Sequence, residues 1–303
     1  MDEIKKNIDV IIPCYNVEET IEDCIKSLCN QSLSKNEYNC YFINDYSRDS
    51  TGLILDKYKY IKNINVIHHK ENQGLAMSRN KGIKAGSSKM IAFLDGDMVV
   101  KKNWLESFLP YFNESVVAVM GDNIAPHNTF LNPVEKYYFG NLRGARKYKD
   151  GDRIPFQYML FGNAMLKRTI LQECGYFDES MKKYGGEDTD LSARVWDIYP
   201  NSFIFSKNSD SVHYHRRNLS EFCNSMYTYG KYNLPLLIKK HPHYKKKFAT
   251  GWIFSFKGKL LFSLPLKIFI NLTVKIYPFQ IFIRYIVADA VIRGARSSET
   301  SNI

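Results

Sequence analysis

In "MIAFLDGDMVV", residues 90–100, an apolar run stops at two aspartates with a single glycine between them. Carboxylates that close repel one another unless a cation or a hydrogen-bonding ligand lies between them, so Asp95 and Asp97 mark a place where such a partner is expected. A second acidic pair, Glu187 and Asp188, follows two glycines in "YGGEDTDL", where a tight turn would let a substrate approach closely. Arg79, in "ENQGLAMSRNKG", carries the planar fork that meets a carboxylate or a phosphate. His213 and His215, in "SVHYHRR", share one face if the segment is a strand.

These residues need a scaffold that brings them together. "IDVIIPCYN" reads as a short buried strand ended by Pro13 and Asn16. "VEETIEDCIKSLCNQS" follows with apolar residues at 17, 21, 25 and 28, a helical spacing. "YNCYFIND" is a second strand, the segment after Asp49 or Ser50 a helix, "INVIHH" a third strand, "LAMSRNKGIKAG" a helix and "KMIAFL" a fourth strand. Strands alternating with helices imply an α/β protein with a mostly parallel, doubly wound sheet, whose ligands bind beyond the carboxyl ends of the strands. Pro13 to Tyr15, Asp45, Asn72 and the Asp95–Asp97 pair all lie at such ends. Helix, strand, strand–turn–helix, helix and strand patterns continue to about residue 220, interrupted at 127–156 by an aromatic, basic stretch with the composition of a mobile loop.

The chain has 303 residues and a net charge of +11. From residue 222 onward there are thirteen lysines and arginines against Asp289 and Glu299, which is the whole excess; residues 1–221 are balanced. Apolar stretches between 252 and 292 are broken by recurring cations and by Pro265 and Pro278, so none reads as a spanning helix. Cations at that spacing suit helices lying in a bilayer interface, and residues 239–293 are expected to meet an anionic membrane surface rather than nucleic acid. Six cysteines without a C-x-x-C pair, and a start without an apolar signal core, point to reduced thiols in a cytoplasmic protein. The expected domains are 1–220, catalytic, and 221–303, a basic and apolar helical extension.

The ordered set "VIIPCYNVEETIEDCIKSLCNQS", "INDYSRDST", "ENQGLAMSRNKGIKAGSSKMIAFLDGDM" and "GNAMLKR…YGGEDTDL" resembles the family 2 glycosyltransferases, which have the GT-A (Rossmann-like) nucleotide-sugar-binding fold. The resemblance implies that Asp97 binds a divalent cation, Mn²⁺ or Mg²⁺, with Asp95 contacting ribose or the metal. Such a cation would stabilise the charge growing on a departing nucleoside diphosphate. The position after Asp97, often acidic in the family, is Met98. Pro13, Tyr15 and Glu18 match the first nucleotide loop, with Tyr15 against the base. Asp45 matches the aspartate that accepts from a pyrimidine N–H; Asn44 stands where a second acid is common and Tyr46 where glycine is common. Asn72, Gly74 and Arg79 match an N-x-G-x-x-x-x-R pattern, and Gly162-Asn163 a turn lining the donor-sugar pocket. Asp188 would take the proton of the acceptor hydroxyl, with Glu187 holding a sugar, and His213 or His215 would complete the metal site. Asp190 fits a helix N-terminus without any further role.

The implied protein is a metal-dependent, inverting glycosyltransferase at the cytoplasmic face of a membrane. Its donor would be a nucleotide sugar, most simply UDP-linked, and its acceptor a hydroxyl of a glycan, glycolipid or lipid-linked molecule. Two rivals keep the fold: a polyprenol-phosphate glycosyltransferase, which needs no base, and a non-catalytic glycan- or partner-binding subunit, which would show damaged motifs. A nucleotidyltransferase would open with a glycine-rich basic loop, absent from "IIPCYNVEET".

Overall fold

The seven residues of strand β1 (Ile8–Cys14) are all buried. In the computed structural model, which describes residues 7–127, 129–214, 218–248 and 250–298, this strand lies within an eight-stranded sheet. Helix α1 (Ile21–Cys29), β2 (Tyr38–Asn44), α2 (Thr51–Tyr58), β3 (Ile64–His68), α3 (Leu75–Ala85), β4 (Met90–Leu94) and β5 (Met98–Val100) follow. Then come α4 (Trp104–Phe108), β6 (Ala118–Ile124), α5 (Pro133–Tyr138), β7 (Asn163–Lys167), α6 (Arg168–Cys174), α7 (Glu187–Ile198) and β8 (Phe203–His213). The sheet order is β3-β2-β1-β4-β7-β6-β8-β5. The first four strands are mutually parallel, as the alternation of apolar runs and helical periods predicts, while β7 is antiparallel to both neighbours and β5 is antiparallel to β8.

Register places the functional ends. Cys14 pairs with Asn44 and Asn44 with His68, so the carboxyl ends of β1, β2 and β3 finish level. The antiparallel β7 starts opposite the end of β4, Asn163 facing Leu94, which brings the Gly162 turn beside Asp95. In the same way Met98 pairs with His213. The opposite ends are fastened by Asp9, fully buried inside β1, whose carboxylate accepts from the Ser88 N–H and Oγ at 2.8 Å each and from Arg168 Nη2 at 2.6 Å. Gly86 is required there, because a Cβ would collide with that carboxylate.

Two expectations change. The helix expected from Val17 starts at Ile21, because Val17 N–H donates to Thr51 Oγ1 at 2.9 Å and Glu18 N–H to Asp49 Oδ2 at 3.1 Å. These bonds hold residues 15–18 as a loop stitched to residues 47–51. The stretch 127–156 is also more regular than its composition suggests. Asn132 accepts from the Val134 and Glu135 N–H groups, Glu135 accepts from the Asn132 N–H, and Pro133 takes the first helical position, a complete capping box for α5.

By internal contacts the chain forms two units. One comprises residues up to His127, Gly144–Lys182 and Glu187–His215; the other comprises Asn128–Arg143, Lys183–Gly186 and Arg216 onward. The second therefore recruits two segments that precede residue 220. It contains α8 (Leu219–Thr228), a π-helical turn (Tyr229–Asn233), α9 (Leu234–Lys240), α10 (Phe256–Leu261), α11 (Leu264–Ile276) and α12 (Gln280–Arg296). Gly230 and Gly294 let α12 pack backbone against backbone on the π-helical turn and the end of α8, since a Cβ on Gly230 would strike the Val291 carbonyl and one on Gly294 the Tyr227 carbonyl. Among the described residues no helix is long and apolar enough to cross a membrane.

Candidate active site

Arg79 organises the acidic centre. It projects from α3, is 1% exposed, and its guanidinium lies over the Phe177 ring at 5.1 Å. Nη1 donates to Asp188 Oδ1 at 2.6 Å and stands 3.7 Å from Glu187 Oε1, while Nη2 donates to Asp95 Oδ1 at 3.3 Å. Of the two partners open to Arg79, it has found carboxylates. Asp95 at the strand end and the Glu187–Asp188 pair at the helix start, some ninety residues apart in sequence, thus share one cation.

Asp188 stands in the first turn of α7, after Gly185 and Gly186, whose φ values of +76° and +103° suit glycine. Its Oδ2 accepts from the Phe161 N–H at 3.1 Å, a donor supplied by backbone and therefore invisible in the motif. Each oxygen holds one donor and retains a lone pair for an incoming proton. Glu187 is buried, and its carboxyl is pushed up to about 7 by burial and then by the Asp188 charge, against the opposing Arg79. Asp190 is buried and paired with Arg194 Nη2 at 2.9 Å, the structural role expected of it.

Asp95 and Asp97 leave β4 around Gly96, where a Cβ would stand 3.2 Å from the Pro13 carbonyl and 3.3 Å from Cys14 Sγ. Burial, and next to it Asp97 as a like charge, raise the Asp95 carboxyl above its ordinary range, with Arg79 opposing. Gly162 lets Asp95 come near: a Cβ there would lie 2.5 Å from Asp95 Oδ2. His213 Nε2 is 3.2 Å from Asp97 Oδ2. Adjacent ligands on an octahedral hard cation bound at about 2.1 Å are separated by about 3 Å, so this oxygen and nitrogen fit one divalent ion. Asp97 and His213, with Asp95 beside them, are the residues that could hold it. His215 lies outside the described residues. The Cys14 thiol, buried behind this edge, is pushed well up by burial and then by Cys24, Asp97 and Asp95, the opposite of an activated nucleophile.

The residues expected to meet the nucleotide divide. Tyr15 is 49% exposed just after Cys14 ends β1, and Tyr46 is equally exposed just beyond the end of the neighbouring β2. Glu18 accepts from the Ser50 N–H at 2.8 Å and so ties the two loops together. Asp45 is buried and builds the loop after β3: its carboxylate accepts from the Gln73 N–H at 2.7 Å and the Gly74 N–H at 2.8 Å, and lies 2.9 Å from His69 Nδ1. Asn72 Nδ2 donates to the Asp45 carbonyl at 3.2 Å, and Gly74 turns at φ +89° into α3. His69, just beyond β3, is thus part of this cluster. Asn163 departs from the expectation for it. It is 1% exposed, accepts from Trp104 Nε1 at 3.0 Å and donates to the Asp122 and Ser209 carbonyls at 2.9 Å each, so its amide braces the sheet while Gly162 alone faces the edge.

A mostly parallel sheet with two strand-end aspartates, and an acidic helix start that meets the first of them at Arg79, fits the GT-A class of glycosyltransferase folds. The chain belongs to glycosyl transferase family 2, whose model matches residues 9–175. A pre-mycofactocin glycosyltransferase of Mycobacterium tuberculosis is 28% identical over 182 residues, covering 59% of this chain and 38% of that protein. The putative teichuronic acid biosynthesis glycosyltransferase TuaG of Bacillus subtilis is 36% identical over 139 residues, covering 43% of this chain and 54% of that protein. The chain thus matches about two fifths to a half of the length of these relatives. Among solved structures, the mannosyltransferase PcManGT from Pyrobaculum calidifontis, in complex with GDP-Man and Mn²⁺, superposes with a TM-score of 0.67 at 14% identity, covering 96% of this chain and 86% of that one. S. aureus TarS 1–349 in complex with UDP-GlcNAc superposes with a TM-score of 0.60 at 17% identity, covering 97% and 91%.

Proposed function

We propose that the protein is a metal-dependent, inverting glycosyltransferase that moves a sugar from a nucleoside-diphosphate donor, UDP-linked in the simplest case, to a hydroxyl of a glycan, glycolipid or lipid-linked acceptor. The observation that carries this reading is the Arg79 bridge, which sets Asp188 and Asp95, the first member of the strand-end pair, within one guanidinium's reach. The complexes of the structural neighbours with GDP-Man and Mn²⁺ and with UDP-GlcNAc support the donor class.

Asp97 and His213, with Asp95, would hold Mn²⁺ or Mg²⁺. The ion, when bound, offsets charge on the departing diphosphate. Asp188, held by Arg79, accepts the acceptor's proton as its oxygen attacks the anomeric carbon. The new C–O bond forms as the old sugar–phosphate bond breaks, and the nucleoside diphosphate leaves with that electron pair. Tyr15 and Tyr46 flank the base and Gly162 leaves room for the sugar. A phosphate acceptor would need no base, so the Glu187–Asp188 pair favours a hydroxyl over the polyprenol-phosphate alternative.

The test is release of nucleotide from a panel of UDP-, GDP- and dTDP-sugars with Mn²⁺, for wild type beside Asp97→Ala and Asp188→Asn. Turnover of one donor, abolished by EDTA and in Asp97→Ala, is expected. Silence across the panel together with no metal-dependent nucleotide binding would overturn the assignment and return the chain to the binding-subunit alternative.

A further inference from the structure

Helix α11 is amphipathic with its faces reversed. Leu264, Ile268, Leu272 and Ile276 recur every four residues along one stripe and are 51–71% exposed, with Phe269 beside them at 63%. The lysine in its first turn faces the other way: Lys267 Nζ lies 3.2 Å from the buried Asp289, which also binds Arg293 Nε at 2.8 Å, while Lys275 in the last turn is exposed. A helix on a water-soluble surface buries its apolar stripe and offers its lysine to solvent. The exposed apolar surface continues on both sides, through Phe256 and Leu260 of α10 and through Phe279 and Ile281 at the start of α12. An open groove of about 540 Å³ runs into it, lined by Lys257, Leu260, Leu261, Pro265, Leu266 and Phe269. A patch this continuous marks an interaction site.

Charge identifies the partner. Lys257, Lys259, Lys275 and Arg284 are exposed around the patch, and among the described residues none of them pairs with an acid. Trp252 and Tyr277, 45% and 56% exposed, add the amphipathic rings that settle at head-group depth. A second copy of the chain would bring an identical cationic rim against this one. A nucleic acid would use the lysines and leave the leucines and phenylalanines in water. A spanning arrangement has no helix to support it among the described residues.

We infer that the face formed by α10, α11 and the start of α12 seats on an anionic bilayer leaflet. The Leu264–Ile276 stripe enters the acyl boundary, the groove accommodates part of a lipid chain, and the surrounding cations meet lipid phosphates. This surface stands independently of the catalytic reading.

The test uses the full chain in vesicle sedimentation, with phosphatidylcholine alone and with about a third phosphatidylglycerol. Binding is expected only to the anionic vesicles and is weakened by salt. The exposed-site double variant Ile268→Glu/Leu272→Glu should lose it while keeping a wild-type circular dichroism spectrum and melting curve. Neutralising Lys257, Lys259, Lys275 or Arg284 to Gln should lower partitioning roughly fivefold each. No binding to anionic vesicles, or binding untouched by the double variant, would overturn the inference. So would a lipid-free dimer in sedimentation velocity that the double variant dissolves, because the face would then belong to a second copy.

Discussion

Arg79 Nη1 sits 2.6 Å from Asp188 Oδ1, and the same guanidinium reaches Asp95. One cation therefore keeps two carboxylates of a crowded acidic site compensated, and it can do so because its planar fork offers separate N–H groups to separate partners. Arg79→Leu would leave two partly buried charges, Asp188 and the 32% exposed Asp95, uncompensated, which costs folding stability at pH 7, less than the about 3–5 kcal/mol of a fully buried broken pair. Arg79→Lys should lose less, because it keeps the charge and forfeits the fork. Urea unfolding at pH 7 and pH 5 checks both. The loss in Arg79→Leu should shrink at the lower pH, where the stranded carboxylates take up protons; an equal loss at both pH values would mean that Arg79 acts by packing alone.

Glu187 supplies a pH signature of its own. Its carboxyl is raised from 4.5 to about 7 by burial first and by Asp188 second. The folded protein then holds a proton that the unfolded chain has released, so stability is highest below the unfolded value and falls as pH rises through the folded one. Glu187→Gln should flatten the melting profile between those two values and, above pH 7, exceed wild type by up to about 3 kcal/mol. Profiles of wild type and variant that run parallel from pH 4.5 to 8 would contradict the assignment.

Tyr46 occupies the left-handed region at φ +59°, an uncomfortable conformation for a bulky residue, and its side chain is half exposed after the end of β2. Strain kept at a ligand edge suggests that the ring is used. Tyr46→Gly should therefore move two quantities in opposite directions. The fold gains about 0.5–1 kcal/mol as backbone strain is relieved, less the entropy that glycine adds to the unfolded chain. Affinity for the nucleoside diphosphate drops roughly tenfold with the loss of a stacking surface. Thermal melts and a UDP titration on the same samples report the pair of effects, and unchanged UDP affinity would leave Tyr46 without a role in binding.

What was legible in the sequence followed from periodicity and punctuation. Apolar runs ended by Pro13, Asn44 and Asp95 gave the parallel half of the sheet, and the ends of those runs gave the acidic edge. What was hidden depended on register and on backbone donors. His69 meets Asp45 because Asn44 pairs with His68, a fact about strand alignment that a two-histidine run does not announce. Phe161 contributes an N–H, which no side chain reveals. Asn163 looks like a pocket residue in a glycine turn and proves to be a strut, because the antiparallel β7 points its amide at Trp104 and at two carbonyls. The start of α1 was displaced by tertiary hydrogen bonds from Thr51 and Asp49 that outweigh the helical pattern of Val17 onward.

His213 joins the site through the same kind of pairing, because β8 runs antiparallel to β5 and sets His213 opposite Met98, one residue after Asp97. That register fixes the imidazole's place more firmly than its own sequence neighbourhood could, and it separates two roles that an alanine scan of activity would confuse. If His213 is a ligand, His213→Gln should weaken Mn²⁺ binding at least about tenfold, since even changes one shell further out have effects of that size. Folding should be little affected, because the strand pairing is made by backbone. Mn²⁺ titration followed by electron paramagnetic resonance, with Asp97→Asn alongside, distinguishes the cases without reference to turnover. Loss of binding in both variants makes the Asp97–His213 pair the metal site. Loss in Asp97→Asn with wild-type affinity in His213→Gln would reduce the histidine to a hydrogen-bonding neighbour that orients Asp97.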